Sequence, residues 1–251
     1  MSGAHRPRFI DSGNNEVIVV FIHGFLGSPD QFTELMAAAT RRGFAAMSIL
    51  LPGHGDTKMA FAKATLADWE AHVHSELQRC RQYRRVYLVG HSIGGLLSLN
   101  AAANPEYNIA GVAAICSPLK VYFIRPFALM KRLKLAIYRA DHKIKSAYIA
   151  EKSVRGIPLF VPLWYRVLLQ PHKIMRKTRR NLANVRVPVV LIHSRGDETA
   201  SFKSSEMLDR GLVNAPHKSI RLKNSWHAYH TYEDKQLIQD EIFALIEKTD
   251  M

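Results

Sequence analysis

A strand-like run, Arg85–Val89 (RVYLV), passes without a break into Gly90-His91-Ser92-Ile93-Gly94-Gly95, and an apolar stretch, Leu96–Ala103, follows at once. A strand that turns directly into a helix needs glycine on both sides of the turn residue, because only there can the chain reverse so tightly. The residue at the apex then stands clear of the backbone at the end of the strand and the start of the helix. Here that residue is Ser92. Read only as a glycine-rich turn, the segment would use Ser92 as a helix cap; the flanking strand and helix favour an exposed hydroxyl instead.

The same rhythm recurs along the chain. Val17–Ile22 is an uninterrupted apolar run of the kind buried on both faces of a parallel sheet. A helix is expected over Gln31–Arg42 after Ser28-Pro29-Asp30, a strand over Phe44–Leu51, and a long amphipathic helix over Leu66–Tyr83. Strands over Gly111–Cys116, Val187–His193 and Ser219–Leu222 alternate with helices over Ser201–Arg210 and Asp234–Glu247. Strands alternating with helices over 251 residues predict an α/β fold: a mostly parallel central sheet covered by helices on both faces.

Charge divides the chain. Of 35 Lys plus Arg, seventeen fall in Pro118–Arg186, where the only acids are Asp141 and Glu151, so the rest of the chain is close to neutral. That shift marks residues 118–186 as a basic helical cap inserted into a core formed by 1–117 and 187–251. Within the insert, Phe127–Arg139 segregates its basic side chains from Leu129, Met130, Leu133 and Ile137, although Phe127 and Leu135 stray into the basic arc. The apolar, two-proline segment Ile157–Tyr165 suits the rim of an acyl groove, with Phe160 and Trp164 as substrate-contact candidates. A cap that merely packs its apolar face on the body would carry the same composition. The basic face also fits peripheral contact with anionic membrane lipids. No nucleic-acid reader motif accompanies it, so specific nucleic-acid binding is not expected.

Two cysteines, Cys80 and Cys116, are too few for a disulfide scaffold, and their spacing with histidine supports no zinc site. No apolar run reaches a membrane-span length and the N-terminus lacks a signal-peptide core, so a reducing, cytoplasmic location is expected, with peripheral membrane association as an extension.

A serine hydroxyl becomes nucleophilic only when a base takes its proton. Asp197 lies just past a late strand, and His227 lies between the last short strand and the final helix. Parallel strands bring both loops to the sheet edge where Ser92 stands. Glu198, His217 and His230 are competing choices. Glu198 is expected to point elsewhere, and His230 to be solvated or a cap. After the first strand, His23-Gly24-Phe25-Leu26-Gly27 can offer the Phe25 amide, with that of Ile93, to an oxygen that becomes negative on attack. His54 and Asp56 are expected to hold their own loop beside the site.

Taken together, Phe21–Gly27, Leu51-Pro52-Gly53-His54-Gly55, Gly90–Gly95, Leu191–Asp197 and Asn224–Ile246 resemble the α/β-hydrolase superfamily, in particular small bacterial carboxylesterases and monoacylglycerol lipases. The likeness covers most of 15–117 and 187–248. It implies the α/β-hydrolase fold, with a catalytic triad at Ser92, Asp197 and His227, oxyanion amides at Phe25 and Ile93, and no metal or organic cofactor. The implied activity is hydrolysis of a small-molecule ester through an acyl-enzyme. A thioesterase or acyltransferase working on acyl-CoA or an acyl carrier would use the same residues. A binding protein on this fold would have lost a triad member, and none is missing. Dehalogenases and epoxide hydrolases require aspartate where Ser92 stands. The insert at 118–186 corresponds to the family's cap only in position, so the resemblance implies no particular acyl group.

Overall fold

In the computed structural model, residues 5–121, 153–154 and 161–248 are described, the side chains of 161–163 excepted. Seven strands form one sheet in the order β1-β3-β2-β4-β5-β6-β7. They are β1 (Arg8–Ile10), β2 (Val17–Ile22), β3 (Ala45–Ile49), β4 (Arg85–His91), β5 (Ile109–Ile115), β6 (Val189–Ser194) and β7 (His217–Leu222). All neighbours are parallel except β1, which runs antiparallel to β3. This three-residue strand was not legible in the sequence. Phe9 and Ile10 are exposed, so neither alternation nor a burial signal marks it.

Eight α-helices are described: α1 (Thr33–Arg41), α2 (Lys58–Lys63), α3 (Leu66–Arg79), α4 (Ile93–Ala102), α5 (Val161–Leu168), α6 (Gln170–Asn181), α7 (Lys203–Gly211) and α8 (Tyr232–Lys248). The helix expected from Gln31 begins instead as a 3-10 turn at Pro29–Phe32. The Ser28 side chain makes no cap bond there. In α2 the Thr57 hydroxyl accepts from the Ala60 amide, and Thr65 and Asp68 form a capping box at α3.

Alternation along β2 divides the core. Val17, Val19 and Phe21 face α1 and α8, while Ile18, Val20 and Ile22 face α3, α4 and α6. Both layers exclude water, which explains a strand with no polar position. Helix α4 runs through the larger of the two cores and is apolar nearly all round. The amphipathic segment expected at 127–139 and Phe160 lie outside the described residues. Of the two-proline run, 161–165 opens α5, with Pro162 in its first turn, where a missing N–H costs nothing. Within the expected insert, α6 packs directly on α4. The Asn100 amide donates to the Thr178 hydroxyl (2.6 Å), and Asn181 donates to Asn100 (2.9 Å).

The chain leaves β2 toward β3 on one side and returns to β4 on the other. The C-terminal ends of β2 and β4 therefore flank the crevice where the winding direction reverses. Here α4 presses on β2 so closely that a Cβ on Gly94 would overlap the Ile22 carbonyl. Replacing Gly94 with alanine is expected to cost at least ~3 kcal/mol of stability. The control is Gly13→Ala, which has open space and only an unfavourable φ of +75°; it should cost about 1 kcal/mol. Urea denaturation of the two variants measures the difference.

Candidate active site

Ser92 sits between β4 and α4 at φ 55°, ψ −121°, a conformation sparsely populated by any residue with a Cβ. Its amide donates to the Ile115 carbonyl at 2.8 Å, fixing the apex to the end of β5. The hydroxyl lies 3.0 Å from His227 Nε2, and His227 Nδ1 lies 2.8 Å from Asp197 Oδ2. The structure thus joins, in one chain of hydrogen bonds, three residues spread over 135 positions of the sequence.

Asp197 is fully buried. Its Oδ1 accepts the Thr199 and Ala200 amides at 2.8 and 2.6 Å. Burial would raise this carboxyl, but the neighbouring His227 charge and hydrogen bond, with help from the Thr199 amide, hold it below the usual range. The acid therefore stays ionised where it can orient an imidazole and balance its charge.

Several residues position His227 without touching a reacting atom. Glu198 Oε2 accepts the His227 amide at 3.0 Å, so this side chain points at the histidine loop rather than away from it. His91 Nε2 donates to the His227 carbonyl at 2.7 Å. The Ser194 hydroxyl bonds the Ser225 carbonyl, and the Ser225 hydroxyl donates to Asp234 Oδ2 at 2.5 Å. Asp234 also accepts the Asn224 amide at 3.2 Å, which ties the loop to the first turn of α8. The acid-rich start of α8 was visible in the sequence; its role as an anchor for the preceding loop was not. His217 lies on β7, away from the site, and pairs with Asp209 at 3.5 Å. His230 is half-buried and its Nδ1 has no partner among the described residues; at the start of α8 it is the Thr231 hydroxyl, not His230, that accepts the Asp234 amide (3.3 Å).

The loop after β2 supplies the other wall. The Leu26 amide donates to His54 Nε2 at 3.3 Å, so it is spent, whereas the Phe25 amide has no acceptor among the described residues. As the first residue of α4, Ile93 likewise has no intrahelical acceptor for its N–H. His23 Nε2 accepts the Leu51 amide (3.0 Å) and its Nδ1 donates to Gly24 O (2.9 Å), joining the two loops. Ser153 bonds the same loop twice, from its amide to Leu26 O (3.2 Å) and from its hydroxyl to Gly27 O (2.5 Å). Trp164 is 3% exposed and packs on Phe61 at 5.2 Å, with Phe61 in turn 5.2 Å from Phe25.

His91, Cys116 and His227 bring ligand-type atoms within 4.8 Å of one another, the one such group among the described residues. Both His227 nitrogens are already engaged by Asp197 and Ser92, and burial followed by the Asp197 charge pushes the Cys116 thiol far up, so it stays protonated. Within this group, then, the His227 nitrogens and the Cys116 thiol are already committed or protonated.

A model of the alpha/beta hydrolase family matches residues 19–239. The chain belongs to that family. It is 25% identical over 252 residues to a thermostable monoacylglycerol lipase from Bacillus sp. (strain H-257), a match covering 97% of this chain and 96% of the relative. It is 22% identical to the AB hydrolase superfamily protein YisY of Bacillus subtilis (strain 168), over 95% and 94% of the two chains. Among solved structures, a metagenome-derived lipolytic enzyme superposes with a TM-score of 0.77 at 24% identity over 98% of both chains. A soluble variant of the Saccharomyces cerevisiae monoglyceride lipase does so at 0.74 and 15%, over 97% of this chain and 92% of that one. At these identities the two solved structures speak to the fold.

Burial keeps the histidines around the site neutral. His54 and His230 are lowered to about 4 and His91 to about 3, chiefly by desolvation. Neutral His54 is required, because its Nε2 must accept from Leu26. Since the folded values lie below 6.5, the unfolded chain takes up protons first as pH falls. Stability is therefore complete above pH 6.5 and declines through pH 4. His23 and His193 are lowered by burial as well, so urea midpoints measured across that range should fall, with more than three protons bound on unfolding near pH 5. His91→Asn should remove about one of them.

Proposed function

We propose that this hydrolase cleaves carboxylic esters through an acyl-enzyme on Ser92. The reading rests on one observation: the hydroxyl of a serine held at a strained backbone angle stands 3.0 Å from an imidazole that a buried, ionised carboxylate holds from behind. Ser92 Oγ attacks the ester carbonyl carbon while its proton moves to His227 Nε2; the Nδ1 proton stays on the ring, donating to Asp197, whose charge balances the imidazolium. The carbonyl oxygen turns negative as the tetrahedral intermediate forms, and the free Phe25 and Ile93 amides are the donors assigned to it. When the intermediate collapses, His227 returns the proton to the departing alkoxide and an alcohol leaves. Water then attacks the acyl-enzyme with the same histidine as base, releasing the acid and restoring Ser92.

Similarity to a monoacylglycerol lipase over nearly the whole chain supports a glycerol ester of a fatty acid as the substrate class. Residues 118–186 are assigned to a cap over the acyl group, with Phe160 and Trp164 among its contacts; the bonds from Ser153 to the Leu26–Gly27 backbone support a cap in touch with the site.

Purified protein should hydrolyse p-nitrophenyl esters in an acyl-chain-length series and bind a fluorophosphonate covalently at Ser92. Ser92→Ala should abolish both, and Asp197→Asn should lower kcat by roughly 10⁴-fold with the fold intact. Failure of the probe to label Ser92 would overturn the reading. Faster turnover of acyl-CoA than of any oxygen ester would move the substrate class to thioesters.

A further inference from the structure

The outer face of α5 and α6 is unusual for a water-facing surface. Trp164 and Val167 turn inward, whereas Tyr165, Leu168 and Leu169 are 64%, 43% and 40% exposed. These three occupy positions i, i+3 and i+4, one side of a helix. Leu169, at the junction with α6, keeps helical angles (φ −82°, ψ −18°), and the Lys173 amide bonds to its carbonyl at 3.2 Å, so the two helices continue one another. At roughly 100° per residue, Tyr165, Leu169, Lys173 and Arg176 then fall within about 80° of arc. Apolar and cationic groups share one stripe.

The cations are uncommitted. Helix α6 carries no acid. Lys177 pairs with Glu70 at 2.7 Å and Arg179 bonds the Leu119 carbonyl, but Lys173 and Arg176 have no acidic partner among the described residues. A face that merely solvated its charges would not put two leucines and a tyrosine among them.

We propose that this stripe docks the enzyme on an anionic lipid bilayer, with Tyr165, Leu168 and Leu169 entering the headgroup–acyl boundary and Lys173 and Arg176 meeting lipid phosphates. Charge complementarity names the occupant. A protein groove would have to cover the leucines and match the cations with a fixed set of acids, whereas a bilayer supplies both along any stripe of this geometry. Docking is independent of the chemistry at Ser92.

The test is co-sedimentation of full-length Ser92→Ala with vesicles of phosphatidylcholine alone or mixed with phosphatidylglycerol, at low and high salt. Binding is expected on the mixed vesicles only, weakened by salt. Each cation near an anionic surface is worth about fivefold, so Lys173→Ala/Arg176→Ala should lower partitioning at least roughly twentyfold. Leu168→Ser/Leu169→Ser should also release the protein. Unchanged hydrolysis of p-nitrophenyl acetate by both double variants, made with Ser92 present, and unchanged thermal unfolding show that the core is intact. Equal binding to neutral and anionic vesicles, or wild-type binding by either variant, overturns the proposal. So does retention on heparin at a salt concentration where the vesicles no longer bind.

Discussion

The contact between α4 and the end of β2 governs the rest of the molecule. With hydrogen as its only side chain, Gly94 lets the helix start against the Ile22 and His23 carbonyls. That approach leaves the chain no room for a gradual turn between β4 and α4, and Ser92 takes up the whole reversal at a positive φ. Backbone strain of this kind, on the order of 1–3 kcal/mol, persists only where the surroundings over-determine it. Here they do: the Ser92 amide is tied to β5, and α4 is buried at eight of its ten residues. The same closeness sets the α4 N-terminus beside the loop after β2, so the Ile93 and Phe25 amides belong to one crevice.

A rigid sheet edge is not enough to align groups on three loops. The loops are bound to each other, and most of those bonds involve neutral imidazoles or backbone groups. His54 holds the Phe25–Leu26 segment, His23 ties it to Leu51, and His91 holds the His227 carbonyl. An imidazole can accept at one nitrogen and donate at the other only while uncharged, and burial keeps it so. The local polarity of the site therefore depends on the surrounding apolar packing. Removing one of these rings would leave a backbone group without its partner.

Much of this was legible because it is written in local pattern. Continuous β-branched runs reveal β2, β4 and β6, and glycines spaced around Ser92 reveal the turn. The order serine, aspartate, histidine, each just beyond a strand, places the three at one edge before any coordinates exist. What escaped has no local signature. Strand β1 is short and exposed, and α2 is a single capped turn and a half. Glu198 was misread because its neighbour Asp197 already explained the loop. Which of two adjacent acids meets the imidazole and which meets the amide is decided by the direction the chain takes after β6, and that is a three-dimensional fact. His230 was expected to be solvated or a cap; it is half-buried, and the neighbouring Thr231 does the capping.

Charge and chemistry are separated for a physical reason. A proton relay needs one buried carboxylate whose field is not overwhelmed, so a near-neutral body suits it. Cations massed beside Ser92 would favour the deprotonated imidazole of His227 and, in the proposed mechanism, blunt its use as an acid. The basic side chains on the outer faces of α5 and α6, Arg166, Lys173 and Arg176 among them, stand in water, where salt at 0.1 M screens them over roughly 10 Å. The basic stripe can therefore change without disturbing Asp197 or His227, and the crevice can keep its geometry while the outside of the cap is reshaped. That independence is what a sheet with inserted helices offers over a site assembled from a single surface.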